Sequence, residues 1–324
     1  MSLVHHRRWL SRLQNLHSQK KQILFFCTTN HNKKHTQALP PPIRVALTES
    51  AGRGVFATRR IGAGDLIHTA KPILTHPSLS VLDTVCYFCL RKIASSSSCF
   101  QDHTAVFCSE ECKEKSKAFY DVERRADWST FDEYCRSQGL KYPLLVKRLA
   151  CMIISGAASA DSIEILQPAS LSPEMIIEME EAFTLLRSSF KNAHILDEQM
   201  TFLNKQWYIN VLARIRINAF RIELAGGSYK DLLALAAASV EAEAAVGNAI
   251  YMLPSFYNHD CDPNAHVVWI DSADARLKAL CDVEEGEELR ICYIDTSMAR
   301  DARQTLLAQG FGFQCSCLRC SSGE

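Results

Sequence analysis

Asn258-His259-Asp260-Cys261-Asp262-Pro263-Asn264 is the stretch that decides how this chain folds. A cysteine stands at its centre, and about 50 residues on follows Cys315-x-Cys317-x-x-Cys320. One upstream cysteine plus this tight triplet makes four thiolates, by count a single tetrahedral zinc site. Such a zinc staples the C-terminal lobe. A second set, Cys86-x-x-Cys89 and Cys108-x-x-x-Cys112, forms two pairs separated by 18 residues and supplies one further site. The chain holds 14 cysteines. Their clustering points to metal, not to disulfides, and hence to a reducing compartment. Cys99 and His103 lie between the pairs with no further Cys/His pair before Cys135, and read as ordinary side chains under a loop. Cys135, Cys151, Cys281 and Cys292 read as small buried side chains.

A chain of 324 residues makes one or two domains with ample core. Its formal net charge is zero, but unevenly spread. Residues 1–48 carry eight Lys/Arg and no Asp or Glu, which leaves 28 basic against 36 acidic residues in the remainder, a net of −8. An acidic body argues against a nucleic-acid groove and suits a basic, lysine-rich protein substrate. The leader, residues 1–42, is basic, acid-free and mixed with apolar residues, and reads as a transit peptide. A disordered basic tail or a nuclear-import patch is the competing reading. Pro40-Pro41-Pro42 marks its end. Ile23–Cys27 is too short an apolar run for a membrane span, and no other stretch predicts one.

Residues 43–85 read as short strands around Gly52-Arg53-Gly54 and Ile61-Gly62-Ala63-Gly64-Asp65. Residues 86–115 form the zinc-binding insert, with Ser95–Ser98 as a loop tip. The pattern from 113 to 250 is predominantly helical. Ser172-Pro173-Glu174 gives a cap, a first-turn proline and a first-turn acid. Met200–Ile217 and the Ala-rich Tyr229–Val246 read as further helices, with Gly226-Gly227 as a break. From Tyr251 strands return: His266–Ile270, Leu277–Leu280 and Glu287–Ile294. A short helix over Arg300–Gln309 leads to Phe311-Gly312-Phe313-Gln314 and the cysteine tail.

The heptapeptide resembles the Asn-His-x-Cys-x-Pro-Asn signature of SET-domain lysine methyltransferases. Glu287–Ile294 resembles that family's second motif, Gly52-Arg53-Gly54 its cofactor loop, and Cys86–Cys112 a partial MYND zinc finger. A full MYND module binds two zincs through eight ligands. Four are in place here, so one zinc is expected in the insert and two in the chain. The order of pieces is similar to SMYD-type enzymes and to plant trithorax-related SET proteins, the latter favoured by the basic leader and short insert. The implied fold is α+β: short sheets with a pseudoknot-like C-terminal motif, a zinc insert, a helical insert (116–204), a SET-I and C-terminal SET half (205–300) and a post-SET zinc tail (301–324).

The resemblance implies an S-adenosylmethionine-dependent protein-lysine methyltransferase, with histone as the family's habitual substrate. An organellar non-histone substrate, or a non-catalytic zinc-dependent interaction protein, are the alternatives. Tyr293 stands at the active-site tyrosine. Gly52, Arg53, Gly54, Ser255, Asn258, His259, Tyr293 and Phe313 stand at cofactor positions. The zinc ligands are Cys86, Cys89, Cys108 and Cys112, and Cys261, Cys315, Cys317 and Cys320. One departure bears on product: SMYD-type enzymes carry tyrosine where this chain has Phe311, so room for di- or trimethylation is expected. The implied location is nucleus or organelle.

Overall fold

The computed structural model describes residues 40–93, 100–102, 105–225 and 245–323. The leader up to residue 39, the Ser95–Ser98 tip, Cys99, His103 and residues 226–244, which hold Gly226-Gly227 and most of the helix expected from Tyr229, lie outside the described residues. Pro41–Glu324 forms a unit of its own.

The glycine turns set short antiparallel strands. β1 (Ile43–Leu47) pairs with β2 (Arg53–Ala57), placing Ile43 opposite Ala57 and Leu47 opposite Arg53. Two further groups join chain-distant strands: β3 (Leu66–Ala70) with β11 (Ala275–Ala279) and β10 (Ala265–Val268), and β4 (Leu74–Pro77) with β8 (Ala245–Ile250) and β7 (Ala219–Glu223). β5 (Phe100–Asp102) and β6 (Ala105–Phe107) form a ribbon inside the zinc insert. The first sheet is completed by β12 (Glu288–Ile291), antiparallel to β2 and parallel to β9 (Asn258–His259), in the order β1-β2-β12-β9. The glycine loop and the heptapeptide therefore meet in one sheet, although about 200 residues separate them.

Helices fill the middle: α1 (Glu110–Glu123), α2 (Ser129–Ser137), α3 (Tyr142–Ile154), α4 (Pro173–Asn192) and α5 (Lys205–Asn218). α4 opens as its sequence predicts, with Ser172 accepting from the Met175 N–H at 3.3 Å and Pro173 in the first turn. α5 starts later than Met200, at Lys205, because Asn204 caps it by accepting from Trp207 N at 2.9 Å. The reading of 113–250 as predominantly helical is corrected at its end, where β8 is a strand. β8 is hydrogen-bonded on one edge to β4 and on the other to β7, and two ladders outweigh an alanine-rich helix propensity. Cys135 and Cys151 are buried as expected, Cys292 is half-buried, and Cys281 is exposed. Cys281 follows β11 and precedes Asp282, whose carboxylate faces out to pair with Arg60 at 2.7 Å.

α3 is buried almost all round, including its charges. Lys147 and Arg148 are each 1% exposed, and Glu123 of α1 answers both, at 3.5 and 3.2 Å. Asp132 takes the Lys147 ammonium at 2.9 Å. The Arg148 guanidinium lies 3.7 Å over the Phe119 ring and donates to the carbonyls of Thr75 and Tyr87. Tyr87, between the first two cysteines of the insert, donates its hydroxyl to Glu123 at 2.7 Å. This cluster pins the zinc insert to the helices. Burial opposes ionisation of Glu123, yet Arg148 and Lys147 hold its carboxyl below the usual range. Its depressed pKa stabilises the fold above about pH 4.3 and ceases to do so as pH falls through the folded value. Replacing Glu123 by Gln leaves the buried Arg148 without a carboxylate and Lys147 with Asp132 alone, and is expected to cost about 3–5 kcal/mol, read as a loss in urea-unfolding free energy at neutral pH that shrinks in acid.

Candidate active site and metal centres

Local structure delivers each sulfur. In the insert, Cys86 N–H donates to Arg91 O, and Leu90, at φ 60°, returns its N–H to Cys86 O, so the turn folds Cys89 back beside Cys86. Ser109 caps α1 by accepting from Cys112 N at 3.1 Å, which sets Cys112 in the first turn next to Cys108. All four ligand atoms lie within 4.8 Å of one another, with Cys89–Cys108 at 3.5 Å and Cys108–Cys112 at 3.6 Å. Sulfurs around a tetrahedral zinc stand about 3.8 Å apart, whereas a disulfide needs about 2.0 Å. The separations fit a metal.

The C-terminal set is built by α6 (Arg300–Phe311) and α7 (Leu318–Ser321). Gly312, at φ 80°, takes the left-handed conformation that ends α6 and turns the chain back. Gln304 then brackets Cys315, donating to its carbonyl at 2.7 Å and accepting from its N–H at 2.9 Å. Cys261, Cys315, Cys317 and Cys320 converge within the same 4.8 Å limit, with Cys261 at 4.0 Å from Cys315 and 3.6 Å from Cys320. Four thiolates on zinc carry a net double negative charge, and Arg303, 1% exposed, directs Nη2 at Cys320 Sγ from 3.8 Å.

Beside this centre the heptapeptide runs parallel to β12. Asn264 holds the pair together, donating to Glu288 O at 2.9 Å and accepting from Arg290 N at 2.8 Å. Asn258 spends both Nδ2 hydrogens inside the protein, on Arg53 O at 3.1 Å and Glu288 Oε1 at 2.7 Å. It would meet a ligand through Oδ1 or its backbone. Gly54 is enclosed here: a Cβ would sit 2.6 Å from Glu288 Oε1 and 2.8 Å from Thr48 Cγ2. The loop thus needs glycine to close on Asn258. Gly52 stands at the start of this turn at φ 74°. The Arg53 side chain turns away, with its guanidinium on Ile165 O and 4.6 Å over the Phe256 ring. Ser255 donates its hydroxyl to Tyr251 O at 2.7 Å, inside the turn before β9.

His259 bridges two halves of the site. Its Nδ1 accepts from Tyr293 N at 3.1 Å, and Nε2 lies 3.3 Å from Cys261 Sγ. Burial, helped by the Arg303 charge, pushes its pKa down to about 4, so the ring is neutral. An accepting Nδ1 leaves the proton on Nε2, which donates to the sulfur. Phe311, Phe313, His259 and Tyr293 gather as an aromatic group, with Tyr293 centroid distances of 5.0, 6.4 and 5.3 Å to Phe311, Phe313 and His259. Tyr293 donates its hydroxyl to Tyr257 O at 2.5 Å, and burial pushes its pKa up.

Tyr257, Glu288 and Arg303 belong to this site without a role read from sequence, and Asn264, quoted there only as the last residue of the heptapeptide, takes a structural one. Asn264 closes the heptapeptide and Tyr257 precedes it, so proximity to the motif was a usable signal. Glu288 falls within Glu287–Ile294, whose resemblance to the second family motif is such a signal, whereas Arg303 carries none, since charged residues are common at helix positions. Asn218, at the end of α5, ties the neighbouring loop by donating to Gln167 O and Arg214 O.

The interlocked sheet, the tyrosine beside the Asn-His strand and the cysteine tail that closes on it define the class: the chain belongs to the SET-domain family, whose domain model matches residues 52–294. Among its relatives is Histone-lysine N-methyltransferase ATXR4 of Arabidopsis thaliana, 61% identical, with 100% of this chain and 99% of that protein covered. A SET and MYND domain-containing protein of Dictyostelium discoideum is 24% identical over 79% of this chain and 77% of its own. Histone-lysine N-methyltransferase SMYD3 of Homo sapiens is 24% identical over 88% of this chain and 63% of its own length. No helix among the described residues is long and apolar enough to cross a membrane.

Proposed function

We propose that this protein is an S-adenosylmethionine-dependent protein-lysine N-methyltransferase that acts on histone lysines, with Tyr293 orienting the acceptor amine. The observation that carries the reading is the Tyr293 hydroxyl: its proton is committed to Tyr257 O at 2.5 Å, so its lone pairs are left to accept an amine N–H. The raised pKa keeps this group a phenol, hence a positioning group and not a base. The acceptor lysine, with an ordinary pKa of about 10.4, must reach the site neutral. Entry into an apolar aromatic surround disfavours its cation, and water carries the proton away. S-adenosylmethionine supplies the methyl group on a sulfonium. Gly52, Gly54 and the Arg53 backbone, Ser255, Asn258, His259 and Phe313 are the residues we assign to holding it, supported by the closure of the glycine loop on Asn258. The two cysteine quartets would each hold a zinc that cross-links the chain, the second one fixing Phe311 and Phe313 beside Tyr293. Positioning supplies much of the acceleration in such a site.

A histone target places the protein at chromatin. The basic, acid-free leader is the one observation that favours an organellar protein as acceptor instead. Incubating the purified chain with methyl-labelled S-adenosylmethionine and either core histones or an organellar extract tests both readings. Label on histones supports the first and label confined to the extract the second. No label on either, with two zincs bound, would favour an interaction protein.

Phe311 bears on the product. Its ring lies tilted with its centroid 5.0 Å from that of Tyr293 and offers no hydroxyl, which leaves space for an added methyl group. Phe311→Tyr is expected to shift product toward monomethyl-lysine, measured by mass spectrometry of the modified peptide. An unchanged distribution would count against this assignment.

A further inference from the structure

We propose that His68 is a positioning residue for methyl transfer: through the Tyr257 side chain it fixes the carbonyl that holds the Tyr293 hydroxyl. The proposal rests on the reading of Tyr293 as the residue that orients the amine.

His68 lies in β3, in a different sheet from the heptapeptide and 189 residues from Tyr257 in the chain. It is 6% exposed, with Nε2 3.0 Å from Tyr257 Oη and Nδ1 3.2 Å from Thr69 O. A carbonyl can only accept, so Nδ1 carries the proton and Nε2 is left bare. Tyr257 therefore donates its phenol to Nε2. Burial pushes the His68 pKa down to about 4, so this acceptor persists at neutral pH. Tyr257 is fully buried, and burial likewise pushes its phenol up, so the donor stays protonated.

Tyr257 thus faces two ways. Its ring is tethered to β3 through His68, and its carbonyl receives the Tyr293 hydroxyl at 2.5 Å. The next residue, Asn258, is already paired opposite Arg290 in β12. The peptide between them is held from the strand on one side and from the ring on the other. Without the tether, the carbonyl is free to tilt about the strand and the Tyr293 oxygen moves with it. Misplacing a reacting geometry by about 1 Å costs on the order of 100-fold in rate. A buried phenol without an acceptor also gains a reason to shift.

Three variants and a double variant test this on the full chain with an acceptor the wild type methylates. Tyr257→Phe removes one oxygen and keeps the ring; His68→Phe fills the space but cannot accept; His68→Gln can. We expect His68→Phe and Tyr257→Phe each to lower kcat by about tenfold or more, with KM for S-adenosylmethionine within about twofold. His68→Gln should recover most of the rate. The His68→Phe/Tyr257→Phe double variant should be no slower than the worse single one, because both remove the same bond. Wild-type kcat in a folded Tyr257→Phe, or losses that multiply in the double variant, would overturn the proposal. Should kcat stay normal in these variants while Tyr293→Phe is inactive, the proposal falls and the reading of Tyr293 stands. Should the wild type transfer no methyl group to any acceptor, the reading falls and takes the proposal with it.

Discussion

Tyr293→Phe removes methyl transfer but leaves cofactor affinity nearly unchanged. The substitution deletes one oxygen from a half-buried ring whose contacts with the rings of His259, Phe311 and Phe313 do not use it. Folding loses the bond to Tyr257 O, a matter of about 1 kcal/mol. Transfer loses the acceptor that aims the amine. Removing one preorganised polar group at a reacting centre typically costs about 10²–10³-fold in kcat, and that loss is expected here. Labelled transfer to histones and calorimetric binding of S-adenosylmethionine separate the two effects. A variant with more than about a tenth of wild-type kcat would show that the ring, not the hydroxyl, does the positioning.

Cys261→Ser produces a second large effect, by a different route. Cys261 is the only ligand of its quartet that belongs to the heptapeptide; the other three lie on the tail. Its loss should lower bound zinc from two to one per chain and release the tail beyond Gly312. Phe313, and with it the end of α6 at Phe311, then loses the staple that holds it beside Tyr293, so transfer should fall to background. The His259 Nε2 proton also loses its sulfur acceptor, which loosens the imidazole that receives the Tyr293 N–H. Cys108→Ser is the informative comparison. It removes the other zinc, leaving one, but the tail should stay resistant to limited proteolysis. Metal analysis and proteolysis of both variants check this. A tail that remains protected in Cys261→Ser, with unchanged zinc content, would sink the ligand assignment.

Much of the chemistry is legible from residues close together in sequence. The heptapeptide, the Cys-x-Cys-x-x-Cys tail and the Cys-x-x-Cys pairs bring their groups together by short-range geometry, so counting spacings finds them. The α4 cap is legible for the same reason, since a hydroxyl three residues before an N–H is a local relation. The Ala-rich helix reading runs two residues too far, over Ala245 and Val246, because strand β8 is decided by its partners, β4 far earlier in the chain and β7, not by its own propensity. The glycines on either side of Arg53 suggest a cofactor role for all three residues, yet the Arg53 side chain is drawn to Ile165 O and the Phe256 ring.

The amino-acid sequence by itself determined the family of fold, the two cysteine quartets and the tyrosine on which transfer turns, because each is carried by a short run of residues whose mutual distances the backbone fixes. Only the tertiary structure decided the protonation of His259, the direction of the Tyr293 hydroxyl, the enclosure of Gly54 and the tie from His68 to Tyr257. Each depends on which strand lies beside which, and a hydrogen bond across 189 residues leaves no pattern in a single chain.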